Sequence, residues 1–177
     1  AEIRRRLAVR SANFTLYGDM SARVVAILRE AAPRVEVYSV DESFLDLRGV
    51  RDRVAFAHDL RTKIHRWTGI PNCIGIAPTK TLAKLANRQA KRGEGVLDLT
   101  DAAVRAQVLA EFPVADVWGV GPRYAARLAE RGITTAAHLR DAPFDDILSA
   151  FGVTLARTVR ELQGQSCMEL EEVEPDR

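Results

Sequence analysis

The spacing of apolar and polar positions changes period several times along this 177-residue chain, and each change marks an element. Residues 19–32 carry apolar side chains at intervals of three and four and stop at Pro33, which predicts a helix. From Val35 to Leu47 the spacing shortens to near alternation, with Val, Tyr, Phe and Leu predicting extended backbone. Asp41 and Glu42 interrupt that run at its centre. A straight strand sends neighbouring side chains to opposite faces, whereas a fold-back over residues 40–43 keeps both apolar sets in a core and brings both carboxylates to a hairpin tip. The helical period returns over residues 53–67, with Val54, Ala57, Leu60 and Ile64 on one face. Residues 72–77 read as a buried strand, 79–91 as a helix capped by Thr79, and 95–99 as one more short strand. From Thr100 onward the pattern is all-helical, with shorter, Ala-rich segments. Helices flanking antiparallel strands predict an α+β layer followed by a small helical unit, with the boundary at residues 98–101.

Three stretches carry candidate chemistry. Asp41 and Glu42, held together at a hairpin tip, would repel unless a cation lay between them. Mg²⁺ uses one or two protein carboxylates together with substrate phosphates, so a partial metal site is one reading and a solvated turn the other. In the helix of residues 79–91, Leu82, Leu85, Ala86 and Ala90 take one face while Lys80, Lys84, Arg88 and Lys91 take the opposite one. Like charges at that spacing destabilise a helix. A nucleic-acid backbone or a triphosphate along it would relieve the repulsion, and a solvated basic face is the alternative. Between Val117 and Ile133, Gly119 and Gly121 permit a tight turn, Pro122 suits the first helical position and Gly132 the end. The pattern predicts a helix-hairpin-helix whose exposed amides at Gly119, Val120 and Gly121, with Arg123, would hold a DNA phosphate without reading sequence. An ordinary αα-hairpin is the other reading.

Composition narrows the class without choosing among these. With 47% hydrophobic and 28% charged residues the chain is long and apolar enough for one or two packed domains. The net charge of +2 conceals an asymmetry: residues 1–98 hold 18 basic and 11 acidic side chains, residues 99–177 hold 8 and 13. The first half is therefore the expected polyanion surface. Cys73 and Cys167 form neither a CxxC motif nor a disulfide framework, so a reduced, cytoplasmic setting is the default expectation. No apolar stretch is long enough for a bilayer, and nothing resembles a signal peptide. His58, His65 and His138 lack metal-ligand spacing, and Trp67 and Trp118 read as core or hinge residues.

Tyr38-Ser-Val-Asp-Glu-Ser-Phe, Gly75-Ile-Ala-Pro-Thr-Lys-Thr-Leu-Ala-Lys-Leu-Ala-Asn and Trp118-Gly-Val-Gly, in that order, resemble the Y-family translesion DNA polymerases. The stretches beginning Asn13-Phe-Thr-Leu-Tyr-Gly-Asp and Arg157-Thr-Val-Arg-Glu are similar to the UmuC branch of that family. The resemblance implies lesion-tolerant, template-directed DNA synthesis of the SOS-repair type by nucleotidyl transfer with two Mg²⁺ ions. Primer–template DNA and a deoxynucleoside triphosphate would be substrates, and a UmuD-like accessory subunit and a recombinase filament would be partners. It assigns Asp41 to bridge the metals and Glu42 to the metal at the primer hydroxyl. Lys91 would contact the triphosphate, with Lys84 and Ser39 near the primer end; Arg92-Gly-Glu departs here from the Pro-containing turn of many relatives. Residues 1–18 would be a remnant of the fingers, 19–99 a partial palm, 100–168 the thumb, and 169–177 the start of a linker to a little-finger domain. A third metal-binding Asp and the sugar-selecting aromatic are expected before residue 1, so the chain is expected to be a fragment that is inactive alone. A non-catalytic DNA-binding module and a protein-interaction subunit are the alternative classes.

Overall fold

A computed structural model describes residues 10–171. Helix α1 (Phe14–Ala31) starts five residues earlier than its apolar pattern suggests, because the Asn13 side chain accepts the Leu16 N–H at 3.0 Å and caps it. Pro33 follows its end. Strands β1 (Val35–Val37) and β2 (Ser43–Leu45) pair antiparallel, with Val35 opposite Leu45 and Val37 opposite Ser43. The predicted fold-back is thus present. Helix α2 (Arg53–Thr68), capped by Asp52 and ended by Gly69 in the left-handed region, buries Ala57, Leu60 and Ile64. Val54 is exposed, since the first turn of α2 projects beyond the core; Trp67 is exposed too, with the Lys63 ammonium 4.6 Å from its ring centre, so it is neither core nor hinge. A first core gathers Ile27, Leu28, Ala32, Val35, Leu60 and Ile64.

Strand β3 (Ile74–Ile76), helix α3 (Lys80–Ala90) and strand β4 (Val96–Asp98) form a crossover unit in which β4 runs parallel to β3. The antiparallel expectation holds for β1–β2 only: a helix between two strands returns the chain to its starting end, and parallel pairing follows. At Gly75 the strand backbone lies directly on α3, where a Cβ would come within 2.2 Å of Asn87 N and 2.3 Å of Ala83 O.

The remaining helices are α4 (Ala102–Glu111), α5 (Pro122–Ala129), α6 (Ala136–Asp141), α7 (Phe144–Phe151) and α8 (Val153–Leu162), with a 3₁₀ turn at Val114–Asp116. That turn stands where the first helix of the expected hairpin would lie, so the expected pair of α-helices is not formed there. Ala115 and Asp116 leave too short an apolar period between Pro113 and Gly119 for an α-helix. The second limb, α5, has Pro122 in its first turn, and Gly132 at φ 76° closes its end. A second core joins Leu109, Leu128, Leu139, Ile147, Leu155, Val159 and Leu162 to Leu82, Leu85 and Ala86 of α3. The apolar face of α3 therefore belongs to the helical half, across the composition boundary at residues 98–101. Residues 165–171 have no helix or strand, and hydrogen bonds to their main chain hold them against α3 and β1: Lys80 Nζ donates to Glu169 O at 2.6 Å, Glu171 N to Glu36 Oε2 at 2.8 Å.

Beyond β2, Asp46 donates its N–H to Arg34 O and accepts the Arg48 side chain and backbone N–H. The Arg48 side-chain hydrogen bond, aided by the backbone one, holds the Asp46 carboxyl at about 2, below its ordinary 3.8. A depressed carboxylate pKa stabilises the fold fully above the unfolded value and progressively less as pH falls toward the folded one. Asp46→Asn should therefore flatten the fall in urea midpoint between about pH 5 and about pH 2.5 relative to wild type. A parallel fall in both would contradict the role. Gly75→Ala should lower the unfolding free energy by roughly 3 kcal/mol or more, because two backbones must separate; an unchanged urea midpoint would show that the close approach is relaxed in solution.

Candidate active site

Tyr38 N and Ser39 N both donate to Glu42 O at 3.0 Å, and these bonds close the hairpin between β1 and β2. Asp41 stands exposed at the tip, and the Ser39 hydroxyl donates to its Oδ1 at 2.7 Å. Ser39 thus orients Asp41. Glu42 turns toward α3, where Lys84 Nζ lies 2.5 Å from each of its carboxylate oxygens. One turn earlier, Lys80 Nζ reaches Glu36 Oε2 of β1 at 2.5 Å, with both side chains about nine-tenths buried. Two ammonium–carboxylate pairs therefore fasten the hairpin to α3. They differ in consequence. Breaking a buried pair by removing one partner costs about 3–5 kcal/mol, whereas a partly exposed pair such as Lys84–Glu42, at 22% and 37% side-chain exposure, contributes about 1 kcal/mol or less.

Aromatic rings close the same joint. Trp118 meets Tyr38 edge-on at 5.4 Å between centres and Phe44 at 6.0 Å. Lys84 Nζ lies 5.4 Å from the Tyr38 ring centre and 5.8 Å from that of Trp118; Lys80 Nζ lies 5.2 Å from Phe44. Trp118 thus makes a contact between the helical half and the hairpin. Farther along α3, Arg88 pairs with Asp116 of the 3₁₀ turn. Three of the four cations on the basic face thus have carboxylate partners within the chain, which relieves the like-charge repulsion without an external anion. Lys91 is exposed and makes no ion pair among the described residues.

Asp41, Glu42, Lys80, Lys84, Asn87 and Lys91 all line one open cleft of about 1420 Å³. Asp41 and Glu42 offer four hard oxygens, a donor set suited to Mg²⁺ as part of a cage; among the described residues no three or more His, Cys, Asp or Glu side chains gather to hold a metal. In the glycine turn, Gly119 sits at φ 86° and Gly121 caps α5 with open space on its Cβ side. Arg123 is exposed in the first turn of α5, and Val120 is buried, so any contact at Val120 would be through its backbone.

Glu36 and Glu161 escape the motif reading. Glu161 has no exposure; its carboxylate accepts Thr81 N at 3.1 Å and Cys167 N at 2.5 Å, and its carbonyl accepts the Thr79 hydroxyl at 2.9 Å. It sits at the positive end of α3, a favourable place for a carboxylate. Its position within the apolar face of α8, beside Leu155, Val159 and Leu162, was the available signal.

Residues 1–88 match the model of the impB/mucB/samB family. The UmuC protein of Salmonella typhimurium is 47% identical over 172 residues, covering 93% of this chain and 41% of that protein. The MucB protein of Escherichia coli is 44% identical over 178 residues, covering 97% of this chain and 42% of its own length. The chain belongs to the impB/mucB/samB family. Its fold is that of the Y-family DNA polymerases: the solved Y-family DNA polymerase chimera Dbh-Dpo4(243-245)-Dbh superposes with a TM-score of 0.76 at 25% identity, covering 92% of this chain and 48% of that one. The chain thus spans less than half the length of these impB/mucB/samB relatives.

Removing the Glu161 carboxylate would strip the buried Thr81 N–H and the part-buried Cys167 N–H of their acceptor, at about 1–3 kcal/mol for the buried group and less for the other, so Glu161→Ala should lower the unfolding free energy by roughly 3 kcal/mol. Glu161→Gln, which keeps an acceptor oxygen, should lose less. Urea unfolding decides, and equal midpoints for wild type and Glu161→Ala would remove Glu161 as the anchor of α3.

Proposed function

We propose that this chain carries part of a nucleotidyl-transfer site for template-directed DNA synthesis past lesions, with primer–template DNA and a deoxynucleoside triphosphate as substrates. The observation that carries the reading is the adjacent Asp41–Glu42 pair at a hairpin tip, opening on a cleft that Lys84 and Lys91 also line, in a chain of this family. Asp41 and Glu42 would hold Mg²⁺, which supplies Lewis-acid stabilisation of the attacking and leaving oxygens when bound. Ser39 fixes the orientation of Asp41 through its hydroxyl. Lys91 lines the cleft and makes no ion pair among the described residues, which supports a role for it in meeting the triphosphate. Lys84 serves the primer end, while Lys80 is committed to Glu36 and its phosphate role would require exchanging that buried partner. The Gly119–Gly121 turn and Arg123 would take a duplex phosphate without reading bases. The family resemblance extends the proposal to a UmuD-like subunit and a recombinase filament as partners. No described helix is long and apolar enough to cross a membrane.

The test is primer extension by a chimera in which residues 1–177 replace the matching segment of Salmonella UmuC. Extension should occur, and Asp41→Asn should abolish it while leaving primer–template affinity unchanged or slightly higher, because a negative charge facing phosphates is removed. Comparable extension by both chimeras would reduce the carboxylate hairpin to a turn.

A further inference from the structure

The two oxygens through which Glu42 would coordinate a cation are both engaged by one ammonium, Lys84 Nζ, at 2.5 Å. Mg²⁺ binds carboxylate oxygens at about 2.0–2.1 Å, so it would occupy the same space as that ammonium, and the two positive centres would repel strongly at such separation. Glu42 cannot give both of its oxygens to the ammonium and to the cation at once. We propose that Lys84 is an internal counter-ion that competes with a divalent cation for Glu42, so that cation binding and release of Lys84 are one coupled step. The inference rests on the cation site proposed above and adds a control on it.

Three features fit Lys84 for exchange rather than permanent pairing. The Lys84–Glu42 pair is partly exposed, whereas Lys80–Glu36 one turn away is buried and also bonded to the chain at residues 169 and 171. The rings of Tyr38 and Trp118 lie close enough to hold the ammonium after it leaves Glu42, through cation–π attraction. Lys84 also lines the cleft, so a phosphate entering there can draw it away. Linkage is then reciprocal: an anion that takes Lys84 strengthens cation binding, and a cation that takes Glu42 frees Lys84 for the anion. The site would thus favour arrival of polyphosphate and divalent ion together over either alone.

The test titrates Mn²⁺ into the 177-residue chain and reads bound ion by electron paramagnetic resonance. Lys84→Met keeps the aliphatic stem against the rings and removes the charge; it should bind Mn²⁺ roughly three- to tenfold more tightly than wild type, the factor by which a competing weak pair lowers apparent affinity. Lys84→Gln should do the same, and Lys84→Arg should match or fall below wild type. Arg53→Met removes another charge that lines the cleft and is not on Glu42, and should change little. In the wild-type chain Mn²⁺ should also raise acylation of Lys84 by an amine-reactive ester, read by mass spectrometry, and leave Lys80 unchanged. No gain for either neutral Lys84 variant, an equal gain for Arg53→Met, or acylation of Lys84 that ignores Mn²⁺ would each overturn the proposal. If Asp41→Asn leaves Mn²⁺ binding intact, the cation site itself falls and the competition with it; if Asp41→Asn weakens binding but Lys84 is without effect, only the competition falls.

Discussion

A carboxylate with no solvent exposure must be satisfied by donors that do not move, and Glu161 finds them in the backbone N–H groups of Thr81 and Cys167. That arrangement fixes where α3 begins. Once the start of α3 is fixed against α8, and its middle is fixed against β3 at Gly75, the helix has no freedom of translation or rotation left. Lys80 and Lys84 then reach the hairpin at set positions, and the hairpin presents Asp41. The geometry of the cleft is thus decided by a residue that does not line it.

The same ionic chemistry serves two purposes one helical turn apart. Lys80 and Glu36 meet where water is excluded, so either partner left alone would be a buried charge, and the pair locks the hairpin to α3. Lys84 and Glu42 meet where water still reaches, and their attraction is correspondingly weak. A strong joint below and a weak one above give a hairpin held firmly at its base and loosely at its tip.

Much of this was legible in the chain. The break of an alternating run by Asp41 and Glu42 foretold the hairpin, and the period of Leu82, Leu85 and Ala86 foretold both α3 and the placing of its cations on the other face. What periodicity cannot say is which element faces which. It marked Lys80, Lys84 and Arg88 as a basic stripe, but their partners Glu36, Glu42 and Asp116 come from a strand, a turn and the helical half, at separations no local pattern encodes. The parallel course of β4, the exposure of Val54 and the single 3₁₀ turn before Gly119 escaped for the same reason, since each depends on what packs alongside. Glu161 was hidden differently: an acid on an apolar helical face reads as an imperfection until its donors are seen.

Because α3 lends its apolar face to the helical half, the break in composition near residue 98 is not a seam of the folded chain. A piece ending there would leave Leu82, Leu85 and Ala86 facing water as one contiguous patch, the kind of surface that drives association. Exchange of segments between relatives at that point would strand a helix from its own interior. The workable unit of inheritance runs through it, carrying the carboxylate hairpin and the helices that steady it as one block.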